Sequence, residues 1–247
     1  MDLQLQGKRA LVTGGSAGLG LACARALAAE GAIVTVVARS ADRLEAARAS
    51  LPGTACAIAA DVAQVEGIAA MVREARSLMG GVDILVANAG GPPTGSFAST
   101  PLSAYPEALQ LGLVSTVAMC QAVVPAMCEQ GWGRVVAITS IAVRQPIAQL
   151  ILSNTARAGL TGFLKTLATE VAPQGVTVNS VQPGLHATDR LQSLYADLER
   201  VAATLPVRRL GDPADFGRLV AFLCSPLAGF ITGAAIPVDG GANQALQ

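Results

Sequence analysis

The chain has 247 residues, 52% of them hydrophobic and 14% charged, with Lys+Arg and Asp+Glu equal at 17 each. That balance leaves no basic footprint for nucleic acid, and the length suits one large α/β domain or two small ones. No Pro/Ser/Gly linker or block of charge divides it, so residues 1–247 read as a single domain.

The apolar excess calls for a large core, buried oligomer faces or a membrane. Two uncharged runs, Ala108 to Cys128 and Leu219 to Val238, are long enough to span a bilayer. The first carries Gln110, Gln121 and Pro125, and the second Pro226, Gly229 and Thr232. We read both as buried helix or interface and expect no membrane partner. The N-terminus is a poor signal peptide, because the glycine loop breaks its apolar stretch. Cys23, Cys56, Cys120, Cys128 and Cys224 are scattered without a CxxC pair. They read as small core residues in a reducing, cytoplasmic setting, not as disulfides or metal ligands.

In chain order, an apolar lead-in, Ala10-Leu11-Val12, runs into Thr13-Gly14-Gly15-Ser16-Ala17-Gly18-Leu19-Gly20. A helical pattern, Leu21 to Ala29, follows at once. Strand, glycine turn and helix is the context in which a glycine loop holds a phosphate. Glycine lets the backbone turn tightly and approach a pyrophosphate, and the first amides of the helix have no partners of their own. We therefore assign Gly14, Ser16, Ala17, Gly18, Leu19 and Gly20 to a dinucleotide site. The alternative is an ordinary strand-to-helix turn.

Strand and helix patterns then alternate. Ile33 to Ala38 is a strand, Ala41 to Ser50 a helix and Ala55 to Ala59 a strand ending at Asp61. Val65 to Met79 is an amphipathic helix, and Ile84 to Ala87 a strand ending in Asn88-Ala89-Gly90. A loop, Gly91 to Pro101, leads to a helix from Pro106 to Gln130. Arg134 to Thr139 is a strand, Ser153 to Val171 a helix and Thr177 to Ser180 a strand, with a break at Pro183-Gly184. Leu191 to Ala203 is helical, Asp212 to Leu223 is a helix opened by Asp-Pro, and Ala235 to Val238 is the last strand. Near-continuous apolar strands between helices predict a doubly wound parallel sheet of Rossmann type. Ligands bind beyond the carboxyl ends of such strands. Here those ends are Gly14, Arg39, Asp61, Asn88, Ser140 and Pro183.

The end of the second strand bears on the cofactor. A carboxylate there would hold an adenosine ribose 2′-hydroxyl. Here Ala38 is followed by Arg39, Ser40 and later Arg43. Guanidinium forks match phosphate, so we expect NADP(H) over NAD(H).

With these residues in place, the chain resembles the short-chain dehydrogenase/reductase family over nearly its whole length. The resemblance is carried by Thr13-Gly14 with Gly18 and Gly20, Asp61-Val62, Asn88-Ala89-Gly90, Gly133-Arg134-Val135-Val136, Thr139-Ser140 and Val178-Asn179. It continues through Pro183-Gly184 with Thr188, and Gly233 with Val238-Asp239-Gly240-Gly241. It implies that Asp61 and Val62 meet the adenine, and that Asn88, Ala89 and Gly90 line the cofactor. It also implies that Pro183, Gly184 and Thr188 meet the nicotinamide carboxamide and phosphates.

The family's active site is an Asn-Ser-Tyr-Lys set. Ser140 matches the serine, while the tyrosine position falls at Ser153, the lysine at Arg157 and the asparagine at Gly112. By this resemblance Ser140, Ser153 and Arg157 form the catalytic set, and Arg157 also meets the ribose. A tyrosine beside a lysine can have its pKa lowered into the working range. Ser153 is shorter by a ring and a far weaker acid. Arg157 keeps a positive charge but cannot relay a proton. Gly112 permits a local helix distortion. His186, Tyr105, Tyr195, Arg144 and Gln145 are further candidates for polarising or protonating an oxygen, each against a bland reading as loop charge or packing.

The expected function is NADP(H)-dependent oxidoreduction of a small-molecule carbonyl/alcohol pair with an altered catalytic set. The alternative is a catalytically impaired dinucleotide-binding protein, a sensor or scaffold subunit. A third reading is a cofactor-independent dehydratase or lyase in the same fold. Apolar helices in excess of one core predict an oligomer, and the resemblance implies a homodimer or homotetramer.

Overall fold

The computed structural model describes residues 1–245. Seven parallel strands form one sheet in the order β3-β2-β1-β4-β5-β6-β7. The first half comprises β1 (Arg9–Thr13), α1 (Gly18–Ala29), β2 (Ile33–Ala38), α2 (Ala41–Ala49), β3 (Ala55–Ala59), α3 (Val65–Met79) and β4 (Ile84–Ala87). Then come α4 (Ala104–Leu109), a π turn at Gln110–Val114, α5 (Ser115–Glu129), β5 (Gly133–Ile138), α6 (Ile151–Val171) and β6 (Val176–Pro183). Short helices α7 (Asp189–Leu194) and α8 (Leu198–Ala203) precede α9 (Pro213–Leu223) and β7 (Ala235–Val238).

Both sheet faces are covered, as continuous apolar strands require. Leu11, Leu85, Val135 and Val178 face one core, filled by Met71, Met119, Val123 and Leu160. Val12, Val34, Val86 and Val136 face the other, filled by Leu27, Phe216 and Val220. Burying a side chain of this size is worth about 1.5–3 kcal/mol, so alternate residues along each strand stabilise opposite layers.

Several elements differ from the sequence expectation. The helix expected from Pro106 begins at Ala104 and is interrupted by the π turn. Leu191 to Ala203 is two helices, because Asp197 leaves helical geometry and caps α8 by accepting from the Arg200 N–H at 2.9 Å. β6 extends through Pro183, since Gln182 and Pro183 pair with Pro237 and Val238 of β7. The break falls at Gly184. Ala104–Glu129 has the length and apolarity of a membrane span, but Met119, Cys120, Val123 and Met127 bury one side of it in the core. The second uncharged run bends through α9, a 3₁₀ turn at Pro226–Ala228 and β7.

Candidate active site

The glycine loop is built so that side chains are excluded. Thr13 Oγ1 donates to the Asn88 carbonyl at 2.8 Å and accepts from the Asn88 N–H at 2.9 Å, tying the ends of β1 and β4 together. Asn88 Nδ2 donates to the Gly14 carbonyl at 3.4 Å. Gly14 has φ +58°, and a Cβ there would stand 2.5 Å from Asn88 Nδ2. At Gly20 a Cβ would stand 2.7 Å from the same nitrogen. Ala17, extended at φ −161°, precedes α1 and offers no side-chain cap. The amides of Gly18, Leu19 and Gly20 thus open the helix without a capping side chain, and the helical ladder starts with Leu21 N–H donating to the Ala17 carbonyl. Bare amides beside a bend no side chain can enter suit a dinucleotide diphosphate. Thr188 stands opposite, its Cγ2 3.6 Å from a Cβ placed on Gly18. A cavity of about 670 Å³ opens beside this loop, lined by Ser16, Ala17, Gly18 and Thr188 and continuing between α1 and α9.

At the adenosine end, Arg39 and Arg43 are exposed and Ser40 leads into α2. Asp61 Oδ1 accepts from the Ala63 N–H at 3.0 Å, which fixes the turn after β3. Val62 is buried beside it. Asn88, Ala89 and Gly90 follow β4 at the centre of the sheet, and Pro183-Gly184 follows β6.

Ser140 follows β5, and its hydroxyl accepts from the Ala142 N–H at 3.1 Å, capping a 3₁₀ turn. Ser153 is buried in the first turn of α6. Arg157, one turn on, is buried too. Its Nη1 donates to the Ile138 carbonyl at 2.7 Å and its Nη2 to the Ala89 carbonyl at 3.4 Å. The guanidinium thus bridges the end of β5 and the Asn88–Gly90 turn, with donors to spare. The ion pairs among the described residues are Arg9–Asp83, Arg48–Glu45 and Arg218–Asp215, so none neutralises Arg157. Burial, then the charge of Arg190, lower its pKa to about 10, which leaves it cationic at neutral pH.

Gly112 sits in the π turn and is buried. A Cβ there would stand 2.9 Å from the Cβ of Ala156, next to Arg157. The glycine therefore lets α6 close on the turn, and the distortion expected at this position is present without an asparagine.

The other candidates are placed elsewhere or differently. Arg144 is turned onto the sheet, donating to Gln182 Oε1 at 3.1 Å and the Ala235 carbonyl at 2.8 Å. Gln145 accepts from the Gln244 N–H at 3.0 Å. His186 is buried edge-on against Phe216, with ring centroids 5.2 Å apart, and its Nδ1 lies 3.3 Å from the Gly184 carbonyl. It packs as a core residue. Tyr105 is half-buried on α4, and Tyr195 is exposed at the end of α7. The sequence reading missed Arg190. Its guanidinium lies over Gly91, where a Cβ would stand 2.8 Å from Nη2. Its only signal was its position two residues past Thr188.

The family model described as "Enoyl-(Acyl carrier protein) reductase" matches residues 14–243. Human dehydrogenase/reductase SDR family member 4 is 38% identical, over 98% of this chain and 90% of that protein. L-Sorbose reductase from Gluconobacter frateurii, solved with NADPH and L-sorbose, is 35% identical, with TM-score 0.94 over all of both chains. An NADPH-bound short chain oxidoreductase from Pseudomonas aeruginosa, described as containing an atypical catalytic center, is 32% identical. Its TM-score is 0.90 over 98% of this chain and 99% of that one. With its glycine loop, central Asn88 turn and Ser140 wall in one sheet of this order, the chain belongs to the short-chain dehydrogenase/reductase family.

Proposed function

We propose that this protein is an NADP(H)-dependent oxidoreductase for a carbonyl/alcohol pair, working with Ser140, Ser153 and Arg157 in place of a phenolic acid. The observation that carries the reading is the Arg157 guanidinium, a buried cation with no carboxylate partner among the described residues, between the strand of Ser140 and the Asn88–Gly90 turn. NADPH in two related structures supports the cofactor, as do Arg39 and Arg43 where a carboxylate would repel a 2′-phosphate.

The cofactor would supply the hydride. The chain supplies the rest. The amides of Gly18, Leu19 and Gly20 would hold the diphosphate, and Asp61, Val62, Pro183, Gly184 and Thr188 would line the remainder. Reduction of a carbonyl would put negative charge on the substrate oxygen. The hydroxyls of Ser140 and Ser153 donate to that oxygen, and the Arg157 charge stabilises it in a site partly shielded from water. The proton then comes from water, because neither an aliphatic hydroxyl nor a guanidinium is a good acid near neutrality. General acid catalysis typically contributes ~10²–10⁴-fold, so a slow enzyme is expected.

Calorimetry with NADPH and NADH, followed by NADPH oxidation against ketones, 3-oxo esters and quinones, tests this. NADPH should bind at least about tenfold more tightly, the discrimination expected of one charged contact, and at least one carbonyl class should be reduced. Tight NADPH binding with no turnover would favour the impaired dinucleotide-binding reading, motivated by the missing phenol. Absence of binding by either cofactor would remove both.

A further inference from the structure

We infer that the substrate carries a carboxylate beside its reacting carbonyl, and that Arg190 receives it over the Gly90-Gly91 turn. The inference rests on the preceding reading that a carbonyl is reduced next to Arg157.

Two guanidinium groups converge on one short turn. Arg157 reaches it from beneath, through the Ala89 carbonyl. Arg190 reaches it from α7, with Nη2, Cζ and Nη1 lying 2.8, 3.3 and 3.4 Å from the position of a Gly91 Cβ. All three fork atoms therefore lie close over the glycine, and a side chain at 91 would displace them. Neither cation belongs to any of the ion pairs among the described residues. The charge of Arg190 contributes, after burial, to the lowered pKa of Arg157. Arg157 is buried and Arg190 is exposed, so the Arg190 fork is open to an anion arriving from solvent, and a planar fork matches a carboxylate through two parallel N–H donors.

The diphosphate of a bound dinucleotide is the competing anionic ligand for Arg190. Thr188, at the head of that helix, faces Gly18 of the diphosphate loop. The Arg190 fork lies instead on Gly91, one residue past the Asn88–Gly90 turn whose Ala89 carbonyl accepts from Arg157. That placement favours the substrate.

The test compares 2-oxo and 3-oxo acids with their ethyl esters, in the wild type, Arg190→Gln and Arg190→Lys, with NADPH. The wild type should prefer the acids. Arg190→Gln should lower kcat/KM for the acids by about tenfold to a hundredfold, chiefly through KM, as loss of one charge-assisted contact predicts. The esters should fall much less, and Arg190→Lys should recover part of the preference. Equal loss for acid and ester, or no preference in the wild type, overturns the inference. So does a weakened NADPH dissociation constant with the acid/ester ratio intact, which would assign Arg190 to the diphosphate. If no carbonyl turns over, calorimetry of the same acids on the NADPH complex decides independently. Binding lost in Arg190→Gln supports the anion site while the reductase reading fails, and no binding to the wild type overturns the anion site as well.

Discussion

Arg157 combines two jobs that are usually separable. It satisfies the carbonyls of Ile138 and Ala89, and in the proposed reaction it keeps a buried positive charge near the reacting oxygen. Arg157→Met removes both, leaving acceptors unsatisfied at about 1–3 kcal/mol and deleting the charge. We expect a lower Tm together with a loss of kcat of about a hundredfold, the scale of one electrostatic stabiliser. Arg157→Lys should restore more activity than stability, because one ammonium cannot copy the fork. The missing phenol makes a second prediction. Nothing in the set Ser140, Ser153 and Arg157 titrates near neutrality, and Arg157 is lowered only to about 10. The rate should therefore be flat from roughly pH 7 to 9, and should fall only as the guanidinium begins to deprotonate. A clear inflection between those limits would mean that an unassigned acid does the work. His186 gives a third prediction, for stability. Burial lowers its pKa below the ordinary 6.5 in the folded chain. The unfolded chain then binds the proton first, so this contribution is complete above the unfolded pKa and is lost as pH falls through the folded one. The drop in Tm between pH 7 and 5 should be smaller in His186→Asn than in the wild type.

Among the elements, the long α4–α5 helix is the most informative. Its π turn inserts a residue into the helical ladder, and Ser115 Oγ donates to the Leu111 carbonyl at 2.7 Å within it. π turns of this kind are often found at functional sites. The turn brings Gly112 against Ala156, so α6, which carries Ser153 and Arg157, can approach it closely. Restoring the family's asparagine by Gly112→Asn would drive its Cβ to within 2.9 Å of the Ala156 Cβ. Overpacking of this type costs about 1–3 kcal/mol. Thermal melts should show a Tm lower by several degrees, and a neutral or stabilising result would mean that α6 is free to shift. The opening turn of α1 follows the same logic at the other end of the site. Its lack of a capping side chain is a local cost accepted where a ligand can satisfy the amides.

At the scale of the molecule, the strand order places β1 and β4 side by side at the centre of the sheet. The connections reverse direction there, so a crevice forms beyond the carboxyl ends of those strands. The glycine loop, the Asn88 turn and the Ser140 wall all border it. Far from this crevice in chain position, Phe230 is 104% exposed, and Leu227, on the 3₁₀ turn before β7, is exposed too. Exposed apolar side chains so placed are costly for a monomer in water. We expect a homodimer or homotetramer, and sedimentation equilibrium at micromolar concentration should return at least two copies. Phe230→Ser should shift that distribution towards monomer. A monomeric wild type would leave the apolar surface without an explanation of this kind.

The sequence by itself determined the elements and the class of the sheet, because periodicity and punctuation are local. Ile33–Ala38, Ala55–Ala59, Val65–Met79, Ile84–Ala87 and Ala235–Val238 fall where the apolar runs and their bounding residues place them. The glycine loop was legible for the same reason, since a turn without side chains followed by a helix is written in contiguous residues. The positions that the resemblance makes catalytic could be placed only by counting from the matched motifs. Tertiary structure decided what distance along the chain hides. It turned Arg144 onto the sheet, packed His186 against Phe216 and bound Arg157 to carbonyls of two strand ends. It also laid Arg190, almost a hundred residues beyond Gly91 in the chain, across that glycine. A guanidinium's role depends on which carbonyls, charges and open surface surround it, and those neighbours come together only when separate strands pair and the helices between them close over the sheet.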